Sequence, residues 1–229
     1  MAYRVLLVED DPQIRQVLNF VLTDHSFLVT EAATGEEGVQ RFADNEFDIA
    51  IIDLRLPVMS GFDVVRTLRV QTTIPLVILT AHGDSHDVVA GLEAGADDFL
   101  SKPIGTKELV ARLQAILRRV SGTQPTPAQA PVNFSVGPNA ISSSTHEAFA
   151  NGIPLALTRT EFGVLCELAK RSPAAVSKQE LLEIVWGYDY LGDSRLVDMQ
   201  IYRLRQKLDN YTLRDAIVTI RGVGFKLVS

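Results

Sequence analysis

The sequence predicts an α/β domain built on a five-stranded parallel sheet, followed by a smaller α+β domain. Three observations carry this. Within residues 1–120, five short apolar runs alternate with five helical patterns, which calls for a parallel sheet with helices on both faces and right-handed crossovers. The charge changes along the chain: residues 1–120 hold 11 Lys and Arg against 18 Asp and Glu, while residues 121–229 hold 11 against 10. Between the two stretches lies SGTQPTPAQAP, residues 121–131, with three prolines and no charge, which reads as a flexible linker.

The elements follow in order. Tyr3 to Val8 is the first strand, ending in Glu9-Asp10-Asp11. Pro12 opens a helix with Asp11 as its N-cap, which leaves Glu9 and Asp10 without a structural role. Phe27 to Thr30 is the second strand, and Thr34 to Glu37 is a capping box for the second helix. Ile49, Ala50, Ile51 and Ile52 form an unbroken apolar run, as expected of a strand buried on both faces. That run stops at Asp53, and after Pro57 and Gly61 a helix runs to about Val70. Ile74 to Leu79 is the fourth strand, ending in Thr80. Asp87 to Ala94 is a helix stopped by Gly95. Phe99 and Leu100 form the fifth strand, which ends in Ser101-Lys102-Pro103. Thr106 caps the fifth helix, which runs through Arg119.

Beyond the linker, weak strand patterns run from Val132 to Pro154. Two further capping boxes, Thr158 to Glu161 and Ser177 to Glu180, open helices. A loop over residues 187–193 carries Tyr188 and Tyr190. Ser194 caps a longer helix with a buried stripe of Leu196, Val197, Ile201, Leu204 and Leu208. Arg195, Gln200, Tyr202, Arg203, Arg205 and Lys207 lie off that stripe. The last strands pair around a Gly-x-Gly, with Arg221 near the hairpin tip. Residues 194–229 hold 7 basic and 3 acidic residues, a local excess of positive charge that suits an anionic partner.

Composition excludes several classes. With 46% hydrophobic residues and a mean hydropathy of +0.12, the chain is ordinary for a globular protein. No apolar run approaches the ~18 residues of a membrane span. The apolar stretch in MAYRVLLVEDD is too short for a signal peptide, and a single cysteine, Cys166, forms no internal disulfide. These features point to the cytoplasm. His82 and His86, four residues apart, lack a third metal ligand nearby.

In a parallel sheet all carboxyl ends share one edge, so Glu9, Asp10, Asp53, Thr80 and Lys102 converge there. Clustered carboxylates favour a divalent cation, and an all-oxygen set suits Mg²⁺. Asp53 is then either a further ligand or a nucleophile that gives an acyl phosphate. Lys102 and Thr80 add an ammonium and a hydroxyl around a transferred phosphoryl group.

VEDD at Glu9 and Asp10, IIDLRLPVMSG at Asp53, LTA at Thr80, GADDF at Phe99 and SKP at Lys102-Pro103 span nearly all of residues 1–120 in order. In this the first domain resembles the flavodoxin-like receiver domain of response regulators. The resemblance implies that Asp53 accepts phosphate from a sensor histidine kinase. It places Mg²⁺ between Glu9, Asp10, Asp53 and the Arg55 carbonyl. It makes Thr80 and Phe99 the switch pair and Lys102-Pro103 a cis peptide. LTRTEFGVLCEL, VSKQELLEIVWG, VDMQIYRLRQKL and TIRGVGF make residues 132–229 resemble the winged-helix effector domain of the OmpR/PhoB subfamily. That implies a helix in the major groove of promoter DNA and a wing in the minor groove, with Arg195, Gln200, Tyr202, Arg203, Arg205, Lys207 and Arg221 as contacts. A phosphorylated homodimer would form through the fourth helix, fifth strand and fifth helix, using Asp97, Asp98, Glu108, Arg112 and Arg119. It would bind tandem half-sites, with RNA polymerase as a further partner.

The sequence departs from the family pattern in three places. Phe99 stands where Tyr is usual, Ile104 where Phe is usual, and Val88 where a basic residue normally pairs with an acid matching Glu108. Two other readings compete with a phosphorylation-activated regulator. An aspartate-nucleophile phosphatase would need a second Asp two residues past Asp53, where Arg55 stands. A DNA-binding protein working without phosphate would have no use for so complete an acidic pocket. Self-phosphorylation and self-dephosphorylation are expected to be slow steps of a switch, not an enzyme's main function.

Overall fold

In a computed structural model the chain divides into two units, residues 1–117 and 118–229. The structure describes residues 2–81, 85–120, 133–136, 139–142, 147–187, 194–211, 213 and 215–228. The linker, Tyr188, Tyr190 and His82 lie outside the described residues, as do the side chains of His86 and Arg119.

The first unit alternates β1 (Arg4–Val8), α1 (Pro12–Asp24), β2 (Leu28–Ala32), α2 (Gly35–Asp44), β3 (Ile49–Asp53), α3 (Gly61–Gln71), β4 (Leu76–Thr80), α4 (Ser85–Ala94), β5 (Asp98–Ser101) and α5 (Thr106–Val120). All sheet pairs are parallel, in the order β2-β1-β3-β4-β5. The order reverses after β1, so β1 and β3 lie side by side and open a crevice at their carboxyl ends. Every residue of β3 and β4 is buried, because helices cover both faces. One core layer packs Leu7, Ile51, Leu79 and Leu100 against Leu18 and Leu22 of α1 and Leu109 and Leu113 of α5.

The caps fix where each helix starts. Asp11 accepts from Gln13 N (2.8 Å) and Ile14 N (3.2 Å), with Pro12 as the first helical residue. Thr34 accepts from Glu37 N, but the Glu37 carboxylate reaches Ala33 N, one residue ahead of the N-cap, so this box is offset. Thr106 begins α5 inside the helix, with Gly105 O accepting from Leu109 N.

The second unit opens with an antiparallel sheet of β6 (Asn133–Val136), β7 (Asn139–Ser142), β8 (Glu147–Ala150) and β9 (Ile153–Pro154). Then follow α6 (Arg159–Arg171), β10 (Val176–Ser177), α7 (Lys178–Trp186), α8 (Arg195–Asp209) and the hairpin of β11 (Ile217–Ile220) and β12 (Gly224–Leu227). Both α6 and α7 start at complete capping boxes, whereas Ser194 makes no capping bond to α8. β12 also pairs with β10, where Ser177 lies opposite Gly224. A Cβ at position 224 would lie 2.0 Å from Val176 O, and its φ is +156°, so this closure requires glycine.

Candidate functional site

Strand ends place the reactive groups. Glu9 follows β1 and is buried, Asp53 ends β3 and is buried, and Asp10 is exposed at the mouth. One carboxylate oxygen from each lies within 4.8 Å of the other two. At that spacing the charges repel, and a cation relieves them. Lys102 supplies one: its Nζ is 2.6 Å from Glu9 Oε2 and 2.9 Å from Asp53 Oδ1. Burial, then the charge of Asp53, pushes the Glu9 pKa up against the hydrogen bond from Lys102. Burial alone would lower the Lys102 pKa, but its bonds to Glu9 and Asp53 and their charges outweigh it and hold that pKa above the usual lysine value. The acidic donor set, with its ammonium, has the chemistry of a hard divalent-cation site.

The backbone around Asp53 is tightly packed. A Cβ on Gly61 would meet Asp53 O at 2.1 Å and Leu54 Cα at 2.8 Å. Gly61 N donates to Leu54 O (3.0 Å), which fixes the loop that carries the Arg55 carbonyl. Thr80 is fully buried at the end of β4, and Lys102 N donates to its carbonyl at 2.6 Å. The Lys102-Pro103 peptide is cis, as the family resemblance implied. Phe99 is turned inward: a Cβ on Gly91 of α4 would meet its ring at 2.9 Å.

In the second unit, α8 buries Leu196, Val197, Gln200, Ile201, Leu204 and Leu208. Tyr202 and Gln206 are exposed on the opposite side, and Arg221 is exposed on the hairpin turn. Arg205 donates to Ile217 O (2.8 and 3.0 Å) and to Thr219 Oγ1 (2.8 Å), and lies 5.9 Å from the Phe225 ring centre. Lys207 Nζ donates to Ala156 O (2.5 Å) and to buried Glu161 (2.7 Å).

Comparison with known proteins places both halves. Residues 5–114 match the response regulator receiver domain, and residues 152–227 match the C-terminal domain of transcriptional regulatory proteins. The chain is 42% identical over 224 residues to the transcriptional regulatory protein AfsQ1 of Streptomyces coelicolor, covering 97% of each chain. It is 39% identical to the DNA-binding response regulator MtrA of Mycolicibacterium smegmatis, covering 99% of this chain and 97% of the other. Among solved structures, a mutant of RitR superposes with TM-score 0.74 at 25% identity, covering 99% of both chains. DrrB, a Thermotoga maritima OmpR/PhoB homolog, gives 0.51 at 28%, covering all of both. The chain is an OmpR/PhoB-type response regulator. Its second unit is the winged-helix DNA-binding domain of that family.

Three predicted site residues of this regulator lie elsewhere than the sequence reading put them. Asp97 and Asp98, expected on a dimer face, are both buried. Asp97 binds the Arg69 guanidinium and accepts from Leu76 N (3.0 Å), while Asp98 accepts from Phe99 N (2.7 Å) and lies 3.8 Å from Arg112. Arg112 in turn binds Glu108 on its own helix at 2.9 Å. Val88, which stands where a cation is usual, is also buried. Gln200, expected to contact DNA, has no exposed surface, because it stands four residues from both Leu196 and Leu204 on the core side of α8.

Sequence reasoning missed two functional neighbours. Arg15 of α1 donates to Glu9 O (2.6 Å) and Asp10 O (3.2 Å), orienting the acidic turn through its backbone and leaving the carboxylates to face the pocket. The signal was an arginine one turn into the helix that follows the acids. Arg69 additionally donates to Gly95 O, Thr72 O and Ile74 O at 3.0–3.1 Å, clamping the ends of α3 and α4. No local pattern reveals that role.

Proposed function

We propose that Asp53 is the phospho-acceptor of this regulator, and that its phosphorylation by a sensor histidine kinase promotes dimerisation and promoter binding. The supporting observation is the Lys102 ammonium, held between Asp53 and Glu9 at the crevice of the sheet. An Asp53 oxygen attacks the phosphorus of a phosphohistidine, the P–N bond breaks, and the imidazole leaves with the electron pair. Lys102 then follows the charge from the carboxylate to the phosphoryl oxygens, and the Thr80 hydroxyl donates to one of them. Glu9, Asp10, Asp53 and the Arg55 carbonyl would hold Mg²⁺, which when bound supplies positive charge to the transferring oxygens. Phe99 and Thr80 are the switch pair, with Phe99 shifting against Gly91 of α4 by packing alone.

The kinase docks on a groove of about 520 Å³ lined by Ile14, Val17, Lys102, Pro103 and Ile104. The homodimer uses the α4-β5-α5 face, with Glu108, Arg112 and Arg119 as its charged residues. On DNA, Arg195, Tyr202 and Arg203 of α8 lie toward the major groove and Arg221 toward the minor groove. The regulator acts in the cytoplasm. Among the described residues no helix is long and apolar enough to cross a membrane.

The test measures DNA affinity of wild type and Asp53→Asn with and without a small phosphodonor and Mg²⁺. Wild type should tighten on phosphorylation and Asp53→Asn should not. Equal tightening of both would place the switch elsewhere.

A further inference from the structure

Four of the cations on and around α8 already interact inside the domain. Arg205 is bound to the β11 backbone and sits over Phe225. Lys207 is bound to Ala156 O and to Glu161, a carboxylate with 1% exposure. Arg195 and Arg203 are half-buried, and each interacts within the protein. By contrast, Tyr202 is 57% exposed and Gln206 is exposed one turn further along the same face. The most accessible side chains of α8 are therefore a neutral aromatic and a neutral amide.

Base edges respond differently to these chemistries. Arginine and lysine read guanine O6 and N7, whereas a glutamine amide makes a bidentate pair with adenine N6 and N7. An aromatic ring packs against the thymine methyl group. We infer that Tyr202 and Gln206 form the base-reading pair of this regulator and that they select A·T base pairs, while Arg205 and Lys207 hold the domain together and do not read bases. The inference rests on the proposed reading that α8 lies in the major groove.

The experiment is selection of bound sites from randomised double-stranded DNA by the phosphorylated full chain, in wild-type, Gln206→Ala, Gln206→Arg and Lys207→Ala forms. Wild type should select at least one adenine per half-site. Gln206→Ala should lose the preference there by about tenfold or more, with the other positions unchanged. Gln206→Arg should shift the same position to guanine. Lys207→Ala should keep the wild-type motif while melting at a lower temperature. An unchanged motif in both Gln206 variants overturns the inference and leaves DNA binding intact. Failure of wild type to select any motif overturns the groove placement itself.

Discussion

Gly61→Ala tests how closely Asp53, the proposed phospho-acceptor, is held. An added methyl would lie 2.1 Å from the carbonyl oxygen of Asp53 and 2.8 Å from Leu54 Cα, and real Cβ contacts essentially never fall under 3.0 Å. The methyl or the strand end must move by about 1 Å, because both neighbours are backbone and neither can rotate away. Overpacking of this kind costs about 1–3 kcal/mol. A receiver domain of this size should then melt several degrees lower, at about 4–8 °C per kcal/mol. The kinetic effect should be larger than the thermal one. The displaced atom belongs to the proposed nucleophile's own residue, and a shift of about 1 Å in a reacting group lowers rate by about 100-fold. Rates of Asp53 phosphorylation by a small phosphodonor, read on phosphate-affinity gels beside melting curves, separate the two effects. Gly105→Ala serves as the control, since nothing lies within 4 Å of its added Cβ. A Gly61→Ala protein that is phosphorylated within twofold of wild type refutes the reasoning, whatever its melting point.

Three further outcomes follow from the same geometry. Arg69→Ala leaves Asp97 buried without its guanidinium and should destabilise the receiver by about 3–5 kcal/mol in denaturant titrations. Ser177→Ala removes the α7 cap and should cost the DNA-binding domain about 1 kcal/mol, with Ser177→Thr, which keeps the hydroxyl bonded to both Glu180 N and the Glu180 carboxylate, restoring most of it. Burial pushes the Cys166 thiol from 9.0 up to about 12. The fold therefore favours the neutral thiol, and its contribution to stability is present below pH 9 and is lost as pH rises from 9 toward 12. At pH 8 the native protein carries about 1,000-fold less thiolate at this position than the unfolded chain. Alkylation at pH 8 should accordingly track unfolding, and rapid labelling of the native protein would count against a packed thiol.

Much of the pocket was legible because it depends on where strands end. The apolar run before Asp53 had to be a buried strand, and a parallel sheet had to bring Glu9, Asp53, Thr80 and Lys102 to one edge. What failed to show is the direction of side chains whose partners lie far along the chain. Asp97 reads as one acid among several after Gly95, and only its register opposite Leu76 and Arg69 turns it inward. Gln200 was legible in principle: it falls midway between Leu196 and Leu204, and the i, i+4 row overrules its polarity. Arg205 and Lys207 look like solvated cations on a helix face. Their partners, Ile217 O and Glu161, are 12 and 46 residues away. The pairing of β6 to β9 could not be read at all, since strands of four residues or fewer carry too little alternation to fix a register.

Ser177 is at once a strand residue and a helix cap. Its backbone lies opposite Gly224, the first residue of β12 beside the hairpin turn, and its hydroxyl holds the first turn of α7. The hairpin and that helix are thus welded at a single residue, with no intervening segment to bend. A force applied at the hairpin turn has a short, stiff path to the start of α7. The wing is less a finger that flexes on its own than the far arm of a rocker whose near arm is a helix.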